Sequence, residues 1–85
     1  MKIIWDEPKR QANLAKHGFD FADLDPDFFY DAVVVTARDG RFAAIGPFSG
    51  TMIFTVYIEL GTEAVSVIST RHADRRERTT YAQAI

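Results

Sequence analysis

The nine residues Thr51–Glu59 read TMIFTVYIE and form the longest strand-like segment of the chain. β-Branched and aromatic residues dominate this segment, and successive side chains of a strand point to opposite faces of its sheet. The alternation places Met52, Phe54, Val56 and Ile58 on one face, and Thr55, Tyr57 and Glu59 on the other. The segment therefore predicts a long strand on which Glu59 projects opposite an apolar stripe.

Shorter segments of the same character surround this strand. The other predicted strands are Val33–Thr36, Arg41–Ile45 and Ala64–Ser69, with turns at Asp39-Gly40, Gly46–Gly50 and Leu60–Thr62. The Asp-Gly pair is a strong signal for a two-residue hairpin. Because all the connections are short, the four strands are predicted to form an antiparallel meander.

The N-terminal part of the chain carries helix signals. Ile3–Trp5 can begin a short strand, and Asp6 is a good N-cap for a first helix that runs to about Lys16. Gly18 lies where a left-handed residue commonly ends a helix. The residues of this helix predicted to face inward are Ala12, Leu14 and Ala15.

A second helix can begin at either of two places. Asp20 can cap a helix whose Phe21, Leu24 and Phe28 share one face. Pro26 would remove a hydrogen bond inside that helix, so the alternative is a later start with Asp25 as the cap and Pro26 in the first position.

A third helix is predicted from Ala73 or Asp74 to the end of the chain. The order is then a short strand, two helices, a four-strand meander and a C-terminal helix, which predicts an α+β fold. With 85 residues, the chain is expected to be a single domain, residues 1–85. The aromatic residues assigned to the core are Trp5, Phe19, Phe21, Phe28 and Phe54.

Composition excludes several classes of protein. There is no cysteine, which excludes a disulfide framework and a cysteine-ligated zinc site. Two histidines without metal-binding spacing make a metal site unexpected. No segment has the ~20 apolar residues needed to span a bilayer, and the N-terminus has no signal-peptide core, so a cytoplasmic protein is expected.

Positive charge gathers near the C-terminus although the net charge is −2. Four of the ten Lys and Arg residues are Arg71, Arg75, Arg76 and Arg78. The spacing of Arg71, Arg75 and Arg78 predicts one shared helical face that could bind phosphate. The alternative is a solvated helix on which these arginines pair with Asp74 and Glu77.

Two further residues could carry chemistry. His17 lies at the end of the first helix, where it could donate a proton or simply cap the helix C-terminus. Glu59 could act as a base, or it could pair with Arg41 or Arg71. Both alternatives remain open for each residue.

These segments together resemble the BrnT-type toxins. The blocks that carry the resemblance are Trp5–Lys9, Asn13, Lys16–Phe21, Arg41–Gly46, Tyr57–Glu59 and Ile68–Ala73, followed by Arg76–Arg78 and Tyr81. They span nearly the whole chain. The Lys-His-Gly block and the Ile-Ser-x-Arg-x-Ala block at this separation are specific in combination.

The resemblance implies a RelE-like fold and the toxin half of a type II toxin–antitoxin pair. Such a toxin is expected to cleave RNA without a metal or cofactor and to be neutralised by a ribbon-helix-helix antitoxin (BrnA-like), through which alone it would reach operator DNA. By matching position, the implied catalytic residues are His17, Arg41, Glu59, Arg71 and Arg75. The implied RNA-binding residues are Lys16, His72 and Arg78.

The chain departs from the family pattern at three positions. Ser66 and Gly40 stand where charged residues are common, and His72 stands where Lys or Arg is usual. The losses at Ser66 and Gly40 motivate a second hypothesis: a weakened binding module that docks the antitoxin and takes part in autoregulatory promoter binding. A plain RNA-binding module is a third hypothesis, less supported because the aromatic stacking motifs of common RNA-binding folds are missing.

Overall fold

The computed structural model describes all 85 residues, Met1–Ile85. The strands are β1 (Lys2–Trp5), β2 (Val33–Thr36), β3 (Phe42–Phe48), β4 (Thr51–Leu60) and β5 (Ala64–His72). The helices are α1 (Glu7–His17), α2 (Pro26–Asp31) and α3 (Arg75–Ala84), with short 3-10 turns at Phe21–Asp23 and Arg38–Gly40. The α+β class and the order of the main elements are confirmed.

The five strands form one sheet in the order β1-β5-β4-β3-β2. The antiparallel meander from β2 to β5 is confirmed. β1 adds a fifth strand, which runs parallel to β5 from the pair Lys2↔Ala64 to the pair Trp5↔Val67. β5 continues to His72, three residues beyond its predicted end, because it keeps pairing with β4 as far as Ile53↔His72. Residues 68–72 of β5 therefore extend past the end of β1.

The two tight turns of the meander depend on left-handed backbone conformations. Asp39 (φ 58°) and Gly40 (φ 75°) lie between β2 and β3, which confirms a hairpin at this point, but the connection spans the five residues 37–41 rather than the predicted two. The next turn is shorter than predicted, since only Ser49 and Gly50 lie between β3 and β4. The prediction that Gly46–Phe48 belong to that turn is wrong, because all three residues pair with β4.

Side-chain caps set the bounds of the N-terminal helices. The Asp6 carboxylate accepts from the backbone N–H of Lys9 (3.2 Å), and Gly18 ends α1 with φ 79°. The later start of the second helix is the one observed: Asp25 accepts from the N–H of Phe28, with Pro26 in the first position. Asp20 caps the 3-10 turn instead, accepting from the N–H of Ala22.

The main core lies between the sheet and the helices α1 and α2, on what we call the α1–α2 face. Its buried residues include Phe21, Phe28, Phe29, Ile53, Tyr57, Val65 and Val67. Trp5 and Phe19 are partly buried against this core. The prediction for the first helix is wrong: Ala12, Leu14 and Ala15 are exposed, and Asn13 is the buried residue of α1.

The opposite side of the sheet, which we call the α3 face, is covered in part by α3. Helix α3 lies against β3 and β2 and has no buried residue of its own. Ile45 beneath it is buried, and Phe54, which pairs with Ile45 across β3 and β4, is half-buried on this face. The assignment of Phe54 to the main core is therefore wrong. The helices of the domain are all too short and too polar to span a bilayer.

Removing the Phe21 side chain is expected to cause a large loss of stability. Phe21 is 0 % exposed in the centre of the core. Phe21→Ala should lower the free energy of unfolding by about 3–5 kcal/mol, out of a total of roughly 4–13 kcal/mol for 85 residues. Urea unfolding measures the change, with Tyr30→Ala at a 66 % exposed position as control. A loss below about 1 kcal/mol for Phe21→Ala, typical of surface positions, would contradict the described core.

Candidate functional site

A shallow basic groove lies between α1 and the end of β5. Lys9, Lys16 and His17 line one side of it, and Ile68 and Ser69 line the other, around about 270 Å³. Lys9 and Lys16 are seven residues apart, two helical turns, so they lie on one side of α1. No carboxylate lines this α1–β5 groove. A cluster of positive charge of this kind suits a phosphate-bearing partner.

The groove forms where β5 extends beyond the end of β1 and carries a β-bulge. Val56 pairs with Ser69 whereas Tyr57 pairs with Val67, so Ile68 is an extra residue in β5. A bulge of this kind re-aims side chains and is common beside functional sites. It brings the Ile68 side chain to the groove, at the point where β1 has ended.

Asn13 fastens α1 to the uncovered edge of β5. Its amide nitrogen donates to the backbone oxygens of Thr70 and Phe19 (both 3.0 Å), and its oxygen accepts from the N–H of Thr70 (3.0 Å). Asn13 is only 6 % exposed. The side chain thus bonds to both backbone groups of Thr70, as a neighbouring strand would.

Arg71 lies on the α3 face and is held in place by Glu77. Its two terminal nitrogens donate to the two Glu77 oxygens (2.8 and 2.9 Å), and its guanidinium stacks over the Phe54 ring at 4.3 Å. The hydrogen bonds from Arg71 to Glu77 raise the pKa of Arg71 above its usual range. The predicted pairing of an arginine with Glu77 is therefore present, and a phosphate has to compete with Glu77 for this guanidinium.

Ser69 connects the groove to Arg71. Ser69 pairs with Val56 and Arg71 pairs with Phe54, so both side chains project from the α3 face of β5. Two residues along a strand cover roughly 7 Å. A chain of phosphates that occupied the α1–β5 groove could therefore continue past Ser69 to the guanidinium of Arg71.

His72 projects from the opposite side of β5. Its ring meets the ring of Phe19 edge to face, with centroids 4.8 Å apart, and its Nδ1 lies 3.3 Å from the Thr51 hydroxyl. Phe19 follows His17 by two residues, just beyond the end of α1. The His72 ring therefore packs against a residue that lies two positions after His17 in the chain.

Arg41 is on the same face as Arg71 but distant from it. Phe42 packs its ring near Tyr57 on the α1–α2 face, so strand alternation places the preceding Arg41 on the α3 face. Arg41 lies level with Ile58, four residues along β4 from Phe54, which is roughly 13 Å. It is also two strands away from Arg71. The two arginines therefore do not converge on one phosphate.

Glu59 lies on the face opposite both arginines. It lines a separate open groove of about 550 Å³ with Phe29 and Tyr57. The predicted pairing of Glu59 with Arg41 or Arg71 is not observed, because the sheet separates them and Arg71 pairs with Glu77.

The remaining C-terminal arginines do not join Arg71 on one helical face. Arg71 belongs to β5, and α3 begins only at Arg75, so helical spacing does not relate Arg71 to the others and that prediction is wrong. Arg78 donates to the backbone oxygen of Ala73 (2.8 Å), and Arg75 is exposed. No three His, Asp or Glu side chains are grouped so that they could hold a metal ion.

Comparison with known proteins identifies the family. Residues 5–77 match the family described as the ribonuclease toxin BrnT of type II toxin–antitoxin systems. The chain belongs to the BrnT family. It is also 54 % identical to the Brucella abortus ribonuclease toxin BrnT, solved at 1.1 Å resolution, with a TM-score of 0.82 over 88 % of this chain and 99 % of that one. Comparison with curated proteins gave no match. Membership of this family implies an antitoxin partner.

Two residues of this BrnT-family site, Lys9 and Asn13, were not assigned a role from the sequence. Lys9 could have been found from its spacing to Lys16. Glu77 was predicted as a partner of the arginines, but not as the residue that also closes a capping box with Asp74 at the start of α3. Asn13 gives no such signal, because an asparagine within a helix is usually exposed. Its role depends on β5, 57 residues away in the sequence.

The burial of Tyr57 beside Glu59 is expected to make the free energy of unfolding depend on pH in the alkaline range. Burial, followed by the charge of Glu59, raises the pKa of the Tyr57 phenol. The folded protein therefore holds the phenol proton more tightly than the unfolded chain. The contribution of this proton to the free energy of unfolding is fully present below about pH 10, the usual pKa of tyrosine, and is lost as pH rises through the folded-state pKa. The free energy of unfolding should fall above pH 10, and less steeply for Tyr57→Phe. Equal slopes for the wild type and Tyr57→Phe would contradict this, with Tyr30→Phe as control for loss of a surface phenol.

Proposed function

We propose that this chain cleaves single-stranded RNA in the α1–β5 groove, without a metal, and so arrests translation in the cytoplasm. The observation that carries the proposal is the gathering of Lys9, Lys16 and His17 in a groove free of carboxylates, whose lining residue Ser69 lies two residues before Arg71 on β5. Fixed positive charge of this kind binds the RNA backbone independently of sequence.

The proposed reaction is an internal displacement at one phosphate. The ribose 2′-oxygen attacks the phosphorus, and the bond from phosphorus to the 5′-oxygen of the next nucleotide breaks. A base takes the proton of the 2′-hydroxyl, and an acid gives a proton to the departing 5′-oxygen. The products are a 2′,3′-cyclic phosphate and a 5′-hydroxyl, and no further reactant is needed.

His17 is assigned as the acid and Arg71 as the group that stabilises the charge developing on the phosphorane. His17 lies at the C-terminal end of α1 and lines the groove, so its imidazole can donate a proton to a phosphate ester bound there. Arg71 presents a planar fork of donors that suits two phosphate oxygens. Glu77 and Phe54 hold this fork in place before RNA binds.

His72 replaces Glu59 in the role of base. Glu59 pairs with Val65, six residues from Arg71 along β5, which is roughly 17–20 Å, so one phosphate cannot reach both. His72 is next to Arg71 in β5, and its ring contacts Phe19, which follows His17 by two residues. In the proposed role, Nδ1 of His72 stays bonded to the Thr51 hydroxyl, and Nε2 is the atom that accepts the 2′-hydroxyl proton.

The other implied residues are assigned to contacts with more distant phosphates. Lys9 and Lys16 hold the RNA in the groove, and Arg41, Arg75 and Arg78 lie outside the reaction centre. Their loss is expected to weaken RNA binding more than it slows cleavage, because phosphate contacts mainly position the nucleic acid.

The partner proposed for this toxin is a ribbon-helix-helix antitoxin (BrnA-like). An acidic or apolar segment of the antitoxin that covered Lys16 and His17 would block the groove and gain from charge complementarity. Operator DNA would be contacted through the antitoxin, whose dimer binds it, and only indirectly by this chain.

The second candidate function is a binding module without cleavage. It is favoured by the bidentate pairing of Arg71 with Glu77, which occupies the best phosphate-binding group, and by the uncharged Ser66 and Gly40. This module would dock the antitoxin and act only in autoregulation.

Expression in bacteria, followed by cleavage assays, separates the two functions. The proposed toxin should arrest growth, and co-expression of the antitoxin encoded beside it should restore growth. The purified protein should cleave single-stranded RNA, and the antitoxin should inhibit it. Harmless expression, tight antitoxin binding and no RNA cleavage would favour the binding module instead.

A further inference from the structure

We propose that Asn13 is a positioning residue for RNA cleavage, which sets the end of α1 against β5 so that His17 meets the same phosphate as Arg71. This inference rests on the proposed function. The observation that carries it is the set of three hydrogen bonds through which one buried amide of α1, the helix of His17, bonds to β5, the strand of Arg71 and His72, and to the connection after α1.

The first of these segments is α1 itself. Asn13 is its one buried residue, so the helix has no apolar anchor of its own against the sheet. Lys16 and His17 follow three and four residues later, on the next helical turn and on the same side. The position of the Asn13 amide therefore sets where these two side chains stand over the groove.

The second segment is β5, at the one stretch where β1 no longer covers it. Asn13 bonds to both the N–H and the C=O of Thr70, the residue between Ser69 and Arg71. Thr70 is also fixed from its other neighbour by the hydroxyl of Thr55 (3.2 Å). Any shift of the Asn13 amide along β5 would therefore break its hydrogen bonds to Thr70.

The third segment is the connection after α1. The second N–H of the Asn13 amide donates to the backbone oxygen of Phe19, and the Phe19 ring contacts His72. Both amide hydrogens and the amide oxygen are thus used: two of the bonds go to β5, and the third goes to the residue that packs against His72. An apolar residue of similar size could fill the space, but it could not fix α1, β5 and the connection after α1 relative to one another.

A purely structural anchor and a positioning residue give different kinetics. Misplacement of a reacting group by about 1 Å can cost on the order of 10²-fold in rate. Asn13→Leu should therefore lower kcat by on the order of 10²-fold with KM changed little, in protein that is still folded. Asn13→Asp, which keeps the acceptor for Thr70 but loses both donors, should fall in the same range.

Thr55→Val is the matched control. It removes a buried hydrogen bond to the same Thr70, but one that comes from β4 and not from α1. Its melting temperature should fall as the Asn13 variants do, whereas its kcat should stay near that of the wild type. A large loss of kcat in Thr55→Val would show that any loosening of β5 impairs cleavage, and the inference would be overturned.

The deciding experiment is a double-mutant cycle of Asn13→Leu with His17→Ala, measured as single-turnover cleavage of a short single-stranded RNA. If Asn13 acts by placing His17, then Asn13→Leu should cost little further rate once His17 is gone. If the rate losses of the two single variants multiplied in the double variant, or if the kcat of Asn13→Leu stayed near that of the wild type, the inference would be overturned. Failure of the wild-type protein to cleave RNA would instead overturn the proposed function, so the two failures are distinguishable.

Discussion

His17→Ala is expected to slow RNA cleavage by roughly 10²–10⁴-fold, the range for loss of a general acid or base. The physical reason is that the 5′-oxygen leaves as an alkoxide unless a proton reaches it, and His17 lies in the basic groove where the phosphate is proposed to bind. RNA affinity should change much less, because Lys9 and Lys16 remain. Single-turnover rates with saturating protein measure the loss.

A substrate with a better leaving group tests the acid role itself. When sulfur replaces the bridging 5′-oxygen, the thiolate departs without protonation, so His17→Ala should cleave this substrate nearly as fast as the wild type. His72→Ala, assigned as the base, should stay slow on both substrates. If His17→Ala loses the same factor on oxygen and sulfur substrates, His17 is not the acid.

Arg71→Ala is expected to lower kcat by about 10²–10³-fold, as is typical when a donor to a developing oxyanion is lost. The change also leaves the half-buried Glu77 without its partner, so unfolding must be measured in parallel. Arg76→Ala, an exposed arginine on α3, is the charge control and should stay within about twofold, in line with the weak effect of exposed charges.

Glu77→Gln distinguishes a reacting arginine from one that only pairs. The amide keeps an acceptor for the α3 cap but no longer neutralises the guanidinium. Cleavage should therefore be unchanged or faster, with a lower KM. Equal losses in Glu77→Gln and Arg71→Ala would mean that the ion pair matters only for structure and would remove Arg71 from the reaction.

The local signals in the sequence were sufficient for most of the fold. Capping residues such as Asp6 and Gly18, and the Asp39-Gly40 hairpin, act within a few residues, so the helix bounds and the meander could be predicted. The parallel pairing of β1 with β5 joins segments about 60 residues apart in the sequence, and no local pattern encodes it. The end of β5 at His72 likewise depends on pairing with β4.

The faces of the sheet were harder to assign than its strands. Helices cover both faces, so Phe54 and Tyr57 both lie against helical layers and the apolar stripe of β4 does not mark the main core. Alternation correctly separated Glu59 from Phe54, but it could not show which face the arginines would share. Asn13 was missed because a buried amide is favourable only where an unpaired strand edge needs donors and acceptors.

The chemical ends of the cut RNA test the central proposal most directly. Purified protein in EDTA is incubated with a single-stranded RNA and with the same RNA carrying a 2′-deoxy nucleotide immediately before the cut. The mechanism predicts 2′,3′-cyclic phosphate and 5′-hydroxyl ends, formed as fast as without EDTA, and no cut at the 2′-deoxy position. Ends bearing 5′-phosphate and 3′-hydroxyl, or continued cutting at the 2′-deoxy position, would contradict it.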